Sequence, residues 1–498
     1  MAAPGLTTAP AELGEIRRQI GTLLDALDDA ERQWSPWIEQ TAPRHRRSAI
    51  NLAHYWAIRQ SDLRPLQHQL TTLGLSSLGR GEAHVQATLQ LVAAALDAMA
   101  GDGYHPPADP VVGADDGHQL LEENTAALLG PPPDGRSVRI MVTLPSEAAD
   151  DPKLISDLVD NGMNVARINC AKDDEKTWRA MANHVRAAAR RAGTSCVVAM
   201  DLAGPKLRTG PLKKGGKLVL QGGDTLTVTR DVTPAPADSD SPRIGCTLPE
   251  VFTHAEVGHR MFFDDGVLGG TIVDASPDEL QVRIDHPALD PEKLKGGKGI
   301  NVPDTDLRIS ALTDKDLEDL KSVVEIADVV EYSFVRTPAD VRRLFTELDR
   351  LGADDLGVVL KIETRPAFEN LPQLVMAAMA RPKAGVMIAR GDLAVEVGWE
   401  RMAELQEEML WLCEAAHLPV IWATQVLEGL AKKGQPARGE VSDASMGVRA
   451  ECVMLNKGPY IVDAVRMLGG ILDRMEDHLY KKRTLLRTLT SWKLGSAR

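Results

Sequence analysis

Several apolar runs in this chain stop at a residue that can do chemistry. Val386–Ala389 gives way to Arg390, Gly391 and Asp392, and Val358–Leu360 leads into Lys361 and Glu363. The run Asn164–Ile168 carries Arg167 and stops at Asn169, Cys196–Met200 stops at Asp201, and Pro419–Ala423 stops at Thr424. Glu363 and Asp392 are carboxylates able to share one cation, and an oxygen-only donor set favours Mg2+ or Mn2+ over zinc. Arg167 and Arg390 suit a phosphate or carboxylate, with Lys361 close to the metal. A hard cation ringed by Arg and Lys serves phosphoryl transfer. It serves the stabilisation of an enolate beside a carbonyl equally well.

Taken singly, each residue also has a plain structural reading. Arg167 could be a rim ion pair. Lys361 and Glu363, two apart on a strand, face the same side and could simply pair. Asp392 and Thr424 could cap the segments after them, and Asp264-Asp265-Gly266 reads as a hairpin turn. What favours the chemical reading is convergence, which requires strands that run parallel and end on one face.

The alternation of patterns supplies such strands. After Gly135, strands are expected at Val138–Thr143, Asn164–Ile168, Cys196–Met200, Val329–Tyr332, Gly357–Ile362, Val386–Ala389, Pro419–Ala423 and Cys452–Leu455, with helices between them. Eight strands alternating with helices close most naturally as a parallel (β/α)8 TIM barrel, an α/β fold whose chemistry sits at the C-terminal strand ends. A doubly wound sheet ranks lower, because no glycine-rich nucleotide turn follows the first strand. Residues 212–300 break the rhythm with short alternating stretches and read as an inserted small β-barrel lid domain. The division is 1–135, an N-terminal α-helical region and linker; 136–211, the first part of the barrel; 212–300, the insert; and 301–498, the rest of the barrel. In the helical region Leu13, Ile16, Ile20, Leu23 and Leu27 form one stripe. Arg44, Arg46 and Arg47 read as a solvated face, and Gly101–Gly117 as a linker.

Composition sets outer limits. The 498 residues exceed one ordinary core, and 43% are apolar. A net charge of −14 argues against a broad nucleic-acid-binding face. The five cysteines are scattered without a CxxC pair, so neither zinc nor a disulfide framework is expected. No signal peptide or membrane span is read, and a soluble cytoplasmic protein is expected.

Gly162-Met-Asn-Val-Ala-Arg-Ile-Asn169, Asp201 with Gly204-Pro205 and Leu207-Arg-Thr-Gly210, Asp264-Asp265-Gly266, Lys361-Ile-Glu363, Met387–Leu393 and Ala423–Glu428 occur in one order. In that order they resemble the pyruvate kinase family over roughly Ser137 to His478. The resemblance implies transfer of a phosphoryl group from phosphoenolpyruvate to ADP, giving pyruvate and ATP. It implies that Glu363 and Asp392 hold Mg2+ or Mn2+, and that Lys361 and Arg167 stabilise the phosphoryl in flight. The substrate carboxylate would lie on the Ala389, Arg390, Gly391 and Asp392 segment and Thr424, with Thr424 beside the enolate carbon. Arg208 and Asp265 would serve the nucleotide. A homo-oligomer is expected, with no nucleic-acid or membrane partner.

The departures are also informative. Asn169-Cys-Ala-Lys-Asp173 replaces the family's N-F-S-H-G, and Ala171 has no hydroxyl for a monovalent cation. In the region of Asn169, Asp201 and Lys206, the Lys206 ammonium stands where potassium-dependent members carry Glu, so K+-independence is expected. Asn456-Lys-Gly-Pro-Tyr460 replaces SGETA. Two other readings stay open: a lyase or aldolase working through a pyruvate enolate, which needs no nucleotide lid, and a non-catalytic regulatory homologue.

Overall fold

The computed structural model describes residues 10–106, 108–237, 241–287, 289–481 and 483–484. Eight parallel strands close into a barrel: β1 (Arg139–Thr143), β2 (Val165–Asn169), β3 (Val197–Asp201), β4 (Val329–Tyr332), β5 (Gly357–Ile362), β6 (Ala384–Ala389), β7 (Val420–Ala423) and β8 (Cys452–Leu455). Each pairs with its sequence neighbours and β8 returns to β1, so no edge is left open. Nearly every strand residue is buried, as a sheet covered by helices outside and packed within requires.

The barrel interior is filled by Met141, Val165, Val329, Val359, Met387 and Ile421, among others. Leu128 and Leu129, from the end of the helix Asp116–Leu129, join the same cluster and plug the N-terminal mouth. A Cβ on Gly357 or Gly385 would lie 2.7 or 2.6 Å from a Leu128 methyl, so both strands yield side-chain volume to the plug. The mouth opposite, where the strands end, is left open for chemistry.

The N-terminal helices Pro10–Ile38, Arg46–Ile58, Arg64–Thr72 and Val85–Ala100 share one continuous apolar core with the outer face of the barrel. Buried polar bonds fix the seam. Asn51 Nδ2 donates to the carbonyls of Glu82 and Ala415, both at 2.8 Å. The His417 ring nitrogens lie 2.9 Å from Ser48 Oγ and 2.8 Å from the Ala83 carbonyl. Arg47, from the cluster read as solvated, is tied inward: it pairs with Asp116 and donates to the Val111 carbonyl at 2.7 Å.

The insert has its own core, with Leu226, Val228, Phe263 and Ile284. Its main sheet has six strands, and Lys217–Leu220 pairs separately with Glu292–Lys295. Arg243–Gly245, Glu292–Lys295 and Ile300–Asn301 were not legible as strands, since each is too short to show alternation. The helical stretch after β5 breaks at Asn370 into Arg365–Glu369 and Leu371–Ala378, because Pro372 cannot donate within a continuous helix. Arg390-Gly391-Asp392, where the apolar run of β6 stops, forms the first turn of a helix, Arg390–Val397. Among the described residues no helix is long and apolar enough to cross a membrane.

Candidate active site

A cavity of about 380 Å3 opens at the C-terminal strand ends. Arg167, Asp201, Lys361, Glu363, Asp392 and Thr424 all line it, as do Asn169, Lys206, Arg208 and Ala389. Strand geometry explains the convergence: β2, β3, β5, β6 and β7 each deliver a residue at or just past their last turn.

The floor is a buried ionic network. The Arg167 guanidinium donates from Nε to Glu331 Oε2 at 2.9 Å, from Nη1 to Thr143 Oγ1 at 2.9 Å, and from Nη2 to Asp201. Lys361 Nζ reaches Ser333 Oγ at 2.7 Å, Asp201 Oδ1 at 2.9 Å and Glu363 Oε1 at 3.1 Å. The pairing of Lys361 with Glu363 is therefore real, within a wider network that also holds Asp201. Burial opposes the charge on Lys361, but Asp201 and Glu363 outweigh it and raise its pKa. Burial pushes Asp201 up too, and there Arg167 and Lys361 prevail and hold it below the ordinary carboxylate range.

Phe334, just past β4, takes a left-handed conformation with φ 55° and donates its backbone N–H to Glu363 Oε2 at 2.7 Å. Gly204 makes room for this turn. It has φ 62°, and a Cβ there would lie 2.7 Å from the Phe334 ring. Glu363 is 3% exposed, and its carboxyl is raised by burial, with Lys361 opposing and Asp392 adding repulsion. Two carboxylates that repel across a cavity fit a hard divalent cation, which would relieve the repulsion while substrate and water complete its shell. Among the described residues no cluster of three or more His, Cys, Asp or Glu side chains forms a full protein cage.

Lys206 Nζ lies 2.7 and 3.0 Å from the two oxygens of Asp392. Gly391 donates its amide to Thr424 Oγ1 at 2.8 Å, which ties the first turn of the Arg390–Val397 helix to the end of β7. Thr424 does not cap the helix that follows it. It has φ 66°, and Gln425 and Leu427 also have positive φ. Three such side-chain-bearing residues in four positions store backbone strain of the kind concentrated at functional sites.

Some expected side chains are not brought to this cavity. The Arg390 guanidinium turns away, pairing with Asp443, donating to the carbonyls of Ala423 and Thr424, and stacking 4.4 Å from the Trp422 ring centroid. It therefore leaves Arg167, not a pair of arginines, on the cavity floor. Asp265, in a turn of the insert, does not line the cavity but lies close enough to feel Lys206 and Asp392 at its edge. Its carboxyl is raised by burial, with Lys206 opposing.

Sequence reasoning missed Glu331, which is fully buried on β4. Its Oε1 has no hydrogen-bond partner among the described residues. Burial pushes this carboxyl up to about 7 despite Arg167. The available signal was a charge inside the apolar run Val329-Val-Glu-Tyr332. Ser333 and Thr143, which complete the network, carried no signal of their own.

The model for the pyruvate kinase barrel domain matches residues 135–465. A pyruvate kinase of Bacillus licheniformis is 30% identical over 357 residues, covering 70% of this chain and 59% of that protein. One from Mycobacterium intracellulare is 32% identical over 350 residues, 69% of this chain and 71% of the relative. Pyruvate kinase 2 of Trypanosoma brucei brucei is 31% identical over 360 residues, 70% of each.

Proposed function

The chain belongs to the pyruvate kinase family, and on that premise we propose that it transfers the phosphoryl group of phosphoenolpyruvate to ADP, yielding pyruvate and ATP. The observation that carries this reading is the convergence of Arg167, Lys361, Glu363, Asp392 and Thr424 on one cavity at the strand ends of the barrel.

Glu363 and Asp392 would hold Mg2+ or Mn2+, which supplies charge neutralisation to the transferring group. Lys361 and Arg167 stand on the cavity floor with their positions fixed by buried anions, and they stabilise the negative charge that moves with the phosphoryl. The first turn of the Arg390–Val397 helix offers a positive dipole end to the substrate carboxylate, which would compete for the Gly391 amide and Thr424 hydroxyl that bond each other here. Thr424 holds its hydroxyl at that turn, placed to relay the proton that the enolate carbon takes up. Arg208 on the cavity wall and Asp265 on the lid serve the nucleotide.

We further infer that turnover needs no K+. Lys206 brings a fixed ammonium to Asp392, and Ala171 offers no hydroxyl ligand to a monovalent ion. A coupled pyruvate-formation assay with phosphoenolpyruvate, ADP and Mg2+, with and without K+, tests both parts. Turnover independent of K+ is expected, with a fall of about a thousandfold in Lys361→Met. Absence of turnover with every nucleoside diphosphate, from folded protein, would overturn the phosphotransfer reading. A K+ requirement in wild type would overturn the Lys206 reading alone.

A further inference from the structure

Arg390 opens the helix that carries Asp392, yet its side chain leaves the cavity and reaches the end of β7. Nε donates to the Ala423 carbonyl at 2.9 Å and Nη2 to the Thr424 carbonyl at 2.6 Å. Nη1 and Nη2 also reach the two oxygens of Asp443, on the helix Arg438–Met446. The fork lies over the Trp422 ring, with Cζ 4.4 Å from its centroid. One side chain thus ties the start of its own helix to β7 and to the helix Arg438–Met446. Arginine suits this place because its planar fork carries several donors at fixed angles. A lysine ammonium is a point charge that cannot serve acceptors spread over a plane while stacking on a ring.

The segment it holds is strained. Thr424 has φ 66°, Gln425 59° and Leu427 46°. A left-handed backbone is a genuine exception for a β-branched residue such as threonine, and it persists only where surrounding contacts impose it. Two such contacts come from consecutive residues: Arg390 takes the Thr424 carbonyl, and the Gly391 amide donates to Thr424 Oγ1 at 2.8 Å. A substrate carboxylate that claims the Gly391 amide would break the second bond, and the Arg390 contacts would remain to hold the segment. Asp443 keeps the guanidinium in place. Their side chains are 14% and 27% exposed, so the pair is weakly screened.

We propose that Arg390 is a positioning residue for Thr424: it touches no reacting atom, and it holds the strained segment so that the Thr424 hydroxyl stays at the enolate carbon, with Asp443 and Trp422 fixing the fork. The proposal rests on the proton-relay role given above to Thr424. It differs from a direct hold on the substrate, which would require the guanidinium inside the cavity that Arg167, Lys361 and Thr424 line and Arg390 does not.

Wild type, Arg390→Lys, Thr424→Ala and the double variant are compared in the pyruvate-formation assay with Mg2+, and Arg390→Lys is crystallised without ligands. Arg390→Lys is expected to lower kcat about 10- to 100-fold, the effect of displacing a reacting group by about 1 Å. In the Thr424→Ala background the same change is expected to lower kcat less than about twofold, because the hydroxyl it positions is already gone. The crystal structure is expected to show Thr424 outside the left-handed region. Asp443→Asn, which removes the charge but keeps one acceptor oxygen, is the milder variant should Arg390→Lys fail to fold. Its loss is expected to be smaller and to vanish likewise in the Thr424→Ala background.

Losses that multiply in the double variant are what a general structural role of Arg390 would give, and they would overturn the proposal. A raised KM for phosphoenolpyruvate with kcat unchanged would overturn it too, by assigning Arg390 to the substrate, as would Thr424 at its wild-type φ in the Arg390→Lys structure. Wild type without turnover, or Thr424→Ala with unchanged kcat, would overturn the reading on which the proposal rests, and the crystal structure would then decide the positioning of Thr424 by itself.

Discussion

Replacing Glu331 separates an anchor from a mere filler of the barrel. The Arg167 guanidinium has three fixed partners: Glu331 at Nε, Thr143 at Nη1 and Asp201 at Nη2. The Nε contact sets the plane of the fork relative to its stem, so losing it frees the group to rotate about the two contacts that remain. Glu331→Leu keeps the volume roughly constant but leaves Arg167 Nε–H without an acceptor in a site that is 8% exposed. Breaking a buried pair from one side costs about 3–5 kcal/mol of stability. A displacement of about 1 Å in a group that stabilises the transition state costs up to ~100-fold in rate. The expected result in the pyruvate-formation assay is a fall in kcat/KM of roughly 10- to 100-fold, equal to about 1.4–2.7 kcal/mol of transition-state stabilisation. Glu331→Gln can still accept from Nε through its carbonyl, and its loss should be several times smaller. A Leu variant that stays folded and keeps kcat/KM within about twofold would refute the anchoring argument, whatever its melting temperature.

The same carboxyl predicts two pH dependences of opposite sign. Its pKa is about 7 in the folded chain, against 4.5 as the ordinary value. Between those values the folded state holds a proton that the unfolded state has lost, so this group's contribution makes stability fall as pH rises from about 4.5 to about 7. Deprotonation of the folded chain meanwhile strengthens the hydrogen bond to Arg167, so kcat/KM should rise as pH passes through about 7. Glu331→Gln should flatten both slopes, which are read from melting curves and from the pH–rate profile. A Gln variant that keeps the wild-type slopes would assign them to another group.

Lys206→Met removes the ammonium that lies 2.7 Å from Asp392. Its K+-free turnover is expected to fall about 10- to 100-fold, and added KCl is not expected to restore it fully, because Ala171 still lacks a hydroxyl; unchanged K+-free turnover would contradict the role given to Lys206. Leu128→Ala empties the plug at the closed mouth, where Leu128 is 2% exposed, and should cost about 2–5 kcal/mol by denaturant titration while leaving kcat within about twofold.

The parts of the site that were legible are those where an apolar run meets a polar residue at a strand end. Parallel barrel strands are buried on both faces, so their ends are marked by abrupt changes in polarity, and Arg167, Asp201, Lys361, Glu363 and Thr424 stood at such changes. Glu331 broke the pattern from within a strand. Its burial is tolerable because Arg167 reaches it from two strands away around the barrel, and a sequence does not display that partner. The Arg390–Val397 helix was hidden because Gly391 and Asp392 read as punctuation. An acid in the first turn of a helix is nevertheless favoured by the dipole, so the same residues also start one. The direction of Arg390 was equally invisible. It follows from Trp422 and Asp443, which lie 32 and 53 positions along the chain and meet it only once the barrel closes.

The charge arrangement also joins the segments 169–173 and 456–460, whose sequences differ from the family pattern they otherwise resemble. The floor is nearly self-compensated: Arg167 and Lys361 face Asp201, Glu363 and Glu331, whose carboxyl burial pushes up. At the rim, Lys172 from the altered 169–173 segment meets Lys457 from the altered 456–460 segment. Loss of solvent, and then Lys172, lowers the pKa of Lys457. Two ammonium groups held this close at a cavity mouth are relieved by an arriving anion, while a compensated floor does not compete for it. An acidic chain of net charge −14 can in this way keep a locally basic entrance that draws in anionic substrates. Within the cavity, the repulsion between Glu363 and Asp392 is then left to be relieved by a divalent cation.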